Sequence, residues 1–277
     1  MTMATTASGT GMWGRVRWTV EDGLTLIGRE LRRMRHEPGE LVAALIFPAV
    51  MVLLFGYVMG SAIKVPGGGD YREFLLPGLF AMVTLTSVMG VTLRVATDAS
   101  RGVMDRFRSM PMARSAVPFG HTGADVLSGV LNMTIMAVMG LLVGWQAHGG
   151  LLRTLEAFAL LALLRYGLSW VGCYLGMKVK NEQTADQMVP LIFPFSMVSN
   201  SFVPTEGMPG WLQAIADWNP LSAVTAACRD LFGNPGAPTA DAAWPVANPV
   251  TATLLWSALL VAVFMPLSIR EYGRKGR

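Results

Sequence analysis

His121 and Asp125 stand one helical turn apart. Spaced i and i+4, they would share one face of a helix, as an intramembrane acid–base dyad would and as a chance pair near a helix start would. No nucleophile or metal ligand accompanies them, so neither catalysis nor a metal site is expected in this chain. Three charges fall inside or beside apolar runs: Arg94, Asp125 and Arg165. An arginine at mid-bilayer costs about 2.5–3.5 kcal/mol, so such a side chain must face protein or water. Arg94 and Asp125 lie at similar depth near the inner ends of two successive apolar segments, and they are expected to pair. Arg165, near the middle of the next segment, reads either as a helix-locking charge paired with a carboxylate or as a pathway charge. No GxxxxGK[ST] phosphate-cradling loop occurs anywhere, so this chain should not hydrolyse ATP alone. Energy for any pumping must come from a partner or an ion gradient. Cys173 and Cys228 form neither a framework nor a metal spacing.

The elements that would position these charges follow from composition. The 277 residues are 52% hydrophobic and only 14% charged, where a soluble domain is about a quarter charged. Mean hydropathy is +0.45. These values indicate an all-α polytopic membrane protein. The net charge of +4 is no nucleic-acid footprint, because the basic residues are confined to particular loops. Residues 1–12 are small and polar and are expected to be disordered. Residues 1–40 hold no uninterrupted apolar core, so no cleavable signal peptide is expected. Val16, Val20, Leu24, Ile27, Leu31 and Met34 recur at helical spacing among arginines, so residues 13–37 read as an amphipathic helix in the membrane interface.

Six apolar segments follow, each reaching the ~20 residues that cross a bilayer: Leu41–Ile63, Phe74–Ala96, Phe119–Trp145, Leu151–Met177, Thr184–Phe202 and Val250–Ile269. Residues 38–277 thus read as one six-span domain. Of the 22 Lys and Arg residues, sixteen fall on the side of the N-terminus, the 99–118 loop and the C-terminus, and four on the other. That bias places both termini in the cytoplasm. Gly56/Gly60, Gly140/Gly144 and Gly172/Gly176 are small-xxx-small pairs, but with 30 glycines in the chain coincidence is expected for any one of them.

Two connections stand out. Ala99–Pro118 carries Arg101, Arg106, Arg108 and Arg114 against the single acid Asp105. Val103, Phe107 and Met110 fall on one side of a helix, with Pro111 ending the run. This is either a helix lying along the membrane face, with arginines offered to another protein, or a solvated loop obeying the positive-inside rule. In 203–249, Trp211–Trp218 and Leu221–Phe232 read as two short helices broken at Asn219-Pro220. Trp211, Trp218 and Trp244 suit a membrane–water boundary, so this segment is expected to be re-entrant on the outer face.

RGVMDRFRSMPMARSAV between the second and third segments resembles the coupling segment of ABC-transporter permeases of the type-2 exporter family. SFVPTEGMPGWLQAIADWNPLSAV resembles that family's outer re-entrant segment. The daunorubicin/doxorubicin-resistance-type branch of drug-efflux permeases is the nearest match. One departure is Asp105, where the family pattern has Glu: the charge is kept and its reach is shortened. The resemblance implies a permease dimer embedded in the lipid bilayer, with an identical second protomer. It also implies two copies of a separate ABC ATPase that carries ATP and Mg2+. Coupling would run through Arg101, Gly102, Asp105, Arg106, Phe107, Arg108, Pro111 and Arg114. An outer gate would comprise Pro204, Met208, Pro209, Trp211, Asn219 and Pro220. A hydrophobic small-molecule cargo would meet Met82, Thr86 and Met89 on the second span and Phe195, Ser199 and Phe202 on the fifth, although plain helix packing explains those residues equally. The alternatives are a lipid or lipid-linked glycan cargo, an intramembrane enzyme using His121 and Asp125, or an ion-coupled carrier. The implied location is the bacterial cell membrane.

Overall fold

The first long helix begins where the sequence supplies a cap. The Asp70 side chain accepts a hydrogen bond from the Arg72 amide (2.9 Å), closing the first turn of α1, Tyr71–Ser100. Hydrogen bonds from the Arg72 guanidinium hold the Asp70 carboxyl below the usual carboxylate range. The computed structural model describes residues 70–104, 106, 115–179, 181–237 and 242–274, with Ile46, Val50, Leu53, Leu54 and Gly68.

Among the described residues, four helices are long and apolar enough to cross a membrane: α1, α2 (Ala116–Val143), α3 (Gly150–Lys178) and, last in the chain, α9 (Pro249–Arg274). They match the expected second, third, fourth and last segments; all four begin one to three residues earlier, and α2 ends two residues sooner, at Val143. Between α3 and α9 lie α4 (Glu182–Asp186), α5 (Ile192–Met197), α6 (Gly210–Asp217), α7 (Pro220–Phe232) and α8 (Trp244–Ala247). All regular structure among the described residues is helical. The expected first segment falls almost wholly outside the described residues, as do the 1–12 tail and the 13–37 helix.

The expected fifth span, Thr184–Phe202, is not one helix. It divides into α4, a 3₁₀ turn at Val189–Leu191 and the six-residue α5. Pro190 and Pro194 cannot donate the backbone hydrogen bonds that a continuous helix needs there. Beyond α5, Ser199 and Ser201 bond to each other and to nearby backbone, an alternative to the helical ladder.

α1 is the central element. It packs on α2, α3 and α7, and Phe74, Leu75, Leu76, Leu79 and Phe80 on it are all at most 2% exposed. Phe80 anchors an aromatic group with Trp145 (5.7 Å), Phe158 (5.2 Å) and Phe232 (6.1 Å). A second cluster at the other end joins Val91, Val95, Met104, Val117, Cys173, Met177 and Tyr272. Coincidence fails as the reading of Gly172/Gly176. A Cβ on Gly172 would meet the Val88 carbonyl, and one on Gly176 would meet the Thr92 carbonyl at 2.6 Å. The α1–α3 contact is therefore backbone-close, and Thr92 Oγ1 donates to Gly172 O across it (3.1 Å).

Candidate functional site

The three intramembrane charges converge on one carboxylate. Asp125 on α2 is 1% exposed. Arg94 Nη2 of α1 lies 2.6 Å from its Oδ1, so the expected pair is present. Arg165 of α3 binds the same carboxylate, with Nη2 3.0 Å from Oδ1 and Nε 3.0 Å from Oδ2. Ser87 Oγ donates to Oδ2 at 2.6 Å. Arg165 also donates to the carbonyls of Val83 (2.9 Å) and Asp125 (3.1 Å). Three helices are thus bound through one acid, with two guanidiniums and a hydroxyl satisfying it. Gly129, which the sequence reading missed, makes room for this: a Cβ there would overlap the Arg165 side chain. His121 sits 3.5 Å from Asp98, and Asp125 is engaged by arginines. The arrangement suits locking helices together.

Of the expected coupling residues, Arg101 and Arg106 are exposed, while Gly102 has φ +69° and its carbonyl accepts the Arg106 amide (3.3 Å). Asp105, Phe107, Arg108, Pro111 and Arg114 lie outside the described residues. Met104 between them is 5% exposed and belongs to the cluster that holds Tyr272 of α9. Beside Tyr272, Glu271 pairs with Lys178 of α3 (3.3 Å) and with Arg274 (2.9 Å).

The expected pathway residues do not share one surface. Met82 and Phe202 are in the core, Ser199 is buried, and Phe195 is exposed. Thr86 and Met89 are half-buried, on a stripe of α1 that continues through Leu93 and Thr97.

Between α5 and the expected gate residues the chain runs without helix over Val198–Phe202. Trp211 is exposed, as is Pro209; Pro204, Met208 and Pro220 are half-buried. Asn219 is buried and works twice. Its Oδ1 accepts the Leu221 amide (2.9 Å) to cap α7, and its Nδ2 donates to Val198 O (2.7 Å). Ser222 Oγ accepts the Asn200 amide (3.0 Å), and Tyr71 OH donates to Phe202 O (2.9 Å). Arg229 of α7, one of the four basic residues counted on the side away from the termini, is 1% exposed. Its guanidinium donates to Phe74 O, Asn200 O and Ser201 O at 2.9–3.2 Å and lies 3.7 Å from the Phe74 ring centre. A lone arginine in a mixed segment gave no signal of this burial.

Comparison with known proteins gives a consistent result. The model of the ABC-2 type transporter family matches residues 22–232. A daunorubicin resistance ABC transporter permease protein, DrrB1 of Streptomyces coeruleorubidus, is 35% identical over 91% of this chain and 86% of its own length. A probable doxorubicin resistance ABC transporter permease protein, DrrC of Mycobacterium tuberculosis, is 22% identical over 94% of this chain and 91% of its own. A probable multidrug ABC transporter permease, YbhR of Escherichia coli, is 28% identical over 59% of this chain, which covers 44% of that protein.

Proposed function

The chain belongs to the ABC-2 type transporter family, and from that premise we propose that it is the transmembrane permease subunit of an ATP-driven drug or antibiotic exporter. The observation that carries this reading is the 35% identity to a daunorubicin resistance permease across 91% of the chain. The cargo is a hydrophobic or amphipathic small molecule. Two permease protomers, identical to each other, form the pathway in the bacterial plasma membrane, with both termini cytoplasmic. The sixteen-to-four distribution of basic residues supports that orientation. Residues 38–277 form one transmembrane domain whose fifth crossing is the broken 184–202 segment, preceded by the interfacial helix.

The chain does no chemistry. Each protomer receives an ABC ATPase subunit, which binds ATP and Mg2+, on the 99–118 coupling segment. Exposed Arg101 and Arg106 offer that subunit a basic contact, joined by Asp105, Phe107, Arg108, Pro111 and Arg114. Gly102 lets the chain turn from α1 into the segment. Closure of the ATPase pair tilts the segment and alternates the pathway between its two openings. Thr86 and Met89 on the half-buried stripe of α1 are the pathway contacts best placed for cargo, and soft methionine surface suits varied apolar ligands. Pro204, Met208, Pro209, Trp211, Asn219 and Pro220 frame the outer gate.

The test is co-expression with a candidate ABC ATPase subunit. Efflux of an anthracycline from loaded vesicles should require ATP, and substitution of Asp105 or Arg106 should abolish co-purification of the ATPase. ATP-independent efflux, or efflux confined to lipid-linked glycans, would overturn the reading.

A further inference from the structure

We infer that Arg229 is the latch of the outer gate, and that its guanidinium must release the carbonyls of Asn200 and Ser201 for the pathway to open outward. This rests on the exporter reading above.

The first support is the way the charge is satisfied. Arg229 is wholly buried, yet among the described residues it has no carboxylate partner. Three backbone carbonyls and the Phe74 ring hold it instead. A buried ion pair would be hard to part, because separation strands two charges. A guanidinium held only by carbonyl dipoles strands nothing when water enters: it and the carbonyls are hydrated together. The closed state is therefore stable when dry and openable when wet.

Next, two of those carbonyls belong to a backbone with no helix to lose. Asn200 and Ser201 lie in the unwound Val198–Phe202 segment, so moving them breaks side-chain contacts and no helical ladder. The other fastenings are neutral: Asn219 to Val198, Ser222 to Asn200 and Tyr71 to Phe202. Arg229 is the one charged group among them. The Asn200 Oδ1 is buried with no hydrogen-bond partner, so the dry closed state leaves an acceptor that water would satisfy.

Finally, Arg229 joins three elements at the point a gate must part. It sits on α7, and it reaches Phe74 at the start of α1 as well as the 200–201 backbone. Ser201 itself presses on Gly78 of α1, where a Cβ would overlap the Ser201 carbonyl. Gly236, with φ +76°, packs against the Phe74 ring and beside Arg229: a Cβ there would meet Phe74 Cδ2 at 2.6 Å and Arg229 Cδ at 3.5 Å. Outward opening at this seam cannot occur while the guanidinium spans it.

The experiment uses the complete permease–ATPase complex in vesicles, with Cys173→Ala and Cys228→Ala removing the native thiols and Ser201→Cys as the reporter. A membrane-impermeant maleimide is applied from the outer side. With Arg229 intact, the reporter should be shielded without nucleotide and labelled when the ATPase is trapped with a non-hydrolysable ATP analogue. With Arg229→Gln, labelling without nucleotide should rise about tenfold, ATP hydrolysis should persist, and drug transport should fall. Arg229→Lys, which keeps the charge but not the planar fork, should fall between them. A reporter that stays shielded in the trapped state of a complex that still transports drug overturns the latch and leaves the exporter reading standing. Labelling that is the same in Arg229→Gln as in the parent also overturns it. Loss of all ATP-dependent transport in the Ser201→Cys parent, against a transporting Cys-free control, would likewise remove the seam from consideration. An inactive Cys-free complex that still holds the ATPase would count against the exporter reading itself.

Discussion

At the scale of single residues, Asp125 decides how α1, α2 and α3 are held together. It answers two guanidiniums, from Arg94 and Arg165. Asp125→Ala would leave both facing each other in a buried site, and should cost about 3–5 kcal/mol, read as a lowered midpoint of thermal unfolding in detergent. Depth along the sequence was enough to pair Arg94 with Asp125. It could not give the direction each side chain takes around its helix, which is why the third partner was open. That difference changes an obvious test. Reciprocal exchange, Arg94→Asp with Asp125→Arg, would set the introduced guanidinium against Arg165. It should therefore fail to rescue stability; full rescue would show that Arg165 does not share the site.

At the scale of elements, helix existence was legible and helix continuity was not. Long apolar runs gave α1, α2, α3 and α9 nearly to their ends, because hydrophobic length is what a bilayer selects. The 184–202 run was apolar enough to suggest a span, yet Pro190 and Pro194 divide it; hydropathy counts side chains and ignores missing amide donors. Glycine spacing carried too little information on its own: only the packed structure separates Gly172 and Gly176 from the rest. Gly172→Ala should force α1 and α3 apart and cost about 1–3 kcal/mol, while Gly210→Ala, which meets nothing within 4 Å, should be silent in the same unfolding assay. The α1 cap offers a pH test. Its carboxyl is lowered by Arg72 in the fold, so the cap stabilises above the unfolded Asp value and loses that contribution as pH falls through the lowered one. The difference in unfolding midpoint between the parent and Asp70→Ala should be constant above about pH 5 and shrink on acidification.

At the scale of the whole molecule, the family was readable, since the motifs at 101–117 and 201–224 are contiguous in sequence, and so was the all-helical, multi-span character. The two short helices α6 and α7 were also readable, from the break at Asn219-Pro220; Gly233, with φ +69°, ends α7. Its attachment to α1 was not, because Arg229 and Phe74 are 155 residues apart. Reconstituted without its ATPase, the permease should neither hydrolyse nucleotide nor move cargo uphill, by a phosphate-release assay and a vesicle uptake assay; either activity in the pure chain would refute the division of labour.

The uneven burial of the long helices has a consequence for anyone altering this transporter. The most apolar stretch of α1 is 83% buried, against 22% for those of α2 and α9. Libraries that exchange one apolar residue for another at the exposed positions of α2 and α9 should return mostly unchanged phenotypes, because those side chains pack on little among the described residues. Variants of α1 should divide sharply into dead and altered. A search for new resistance profiles is best spent on the few α1 positions that keep a free edge.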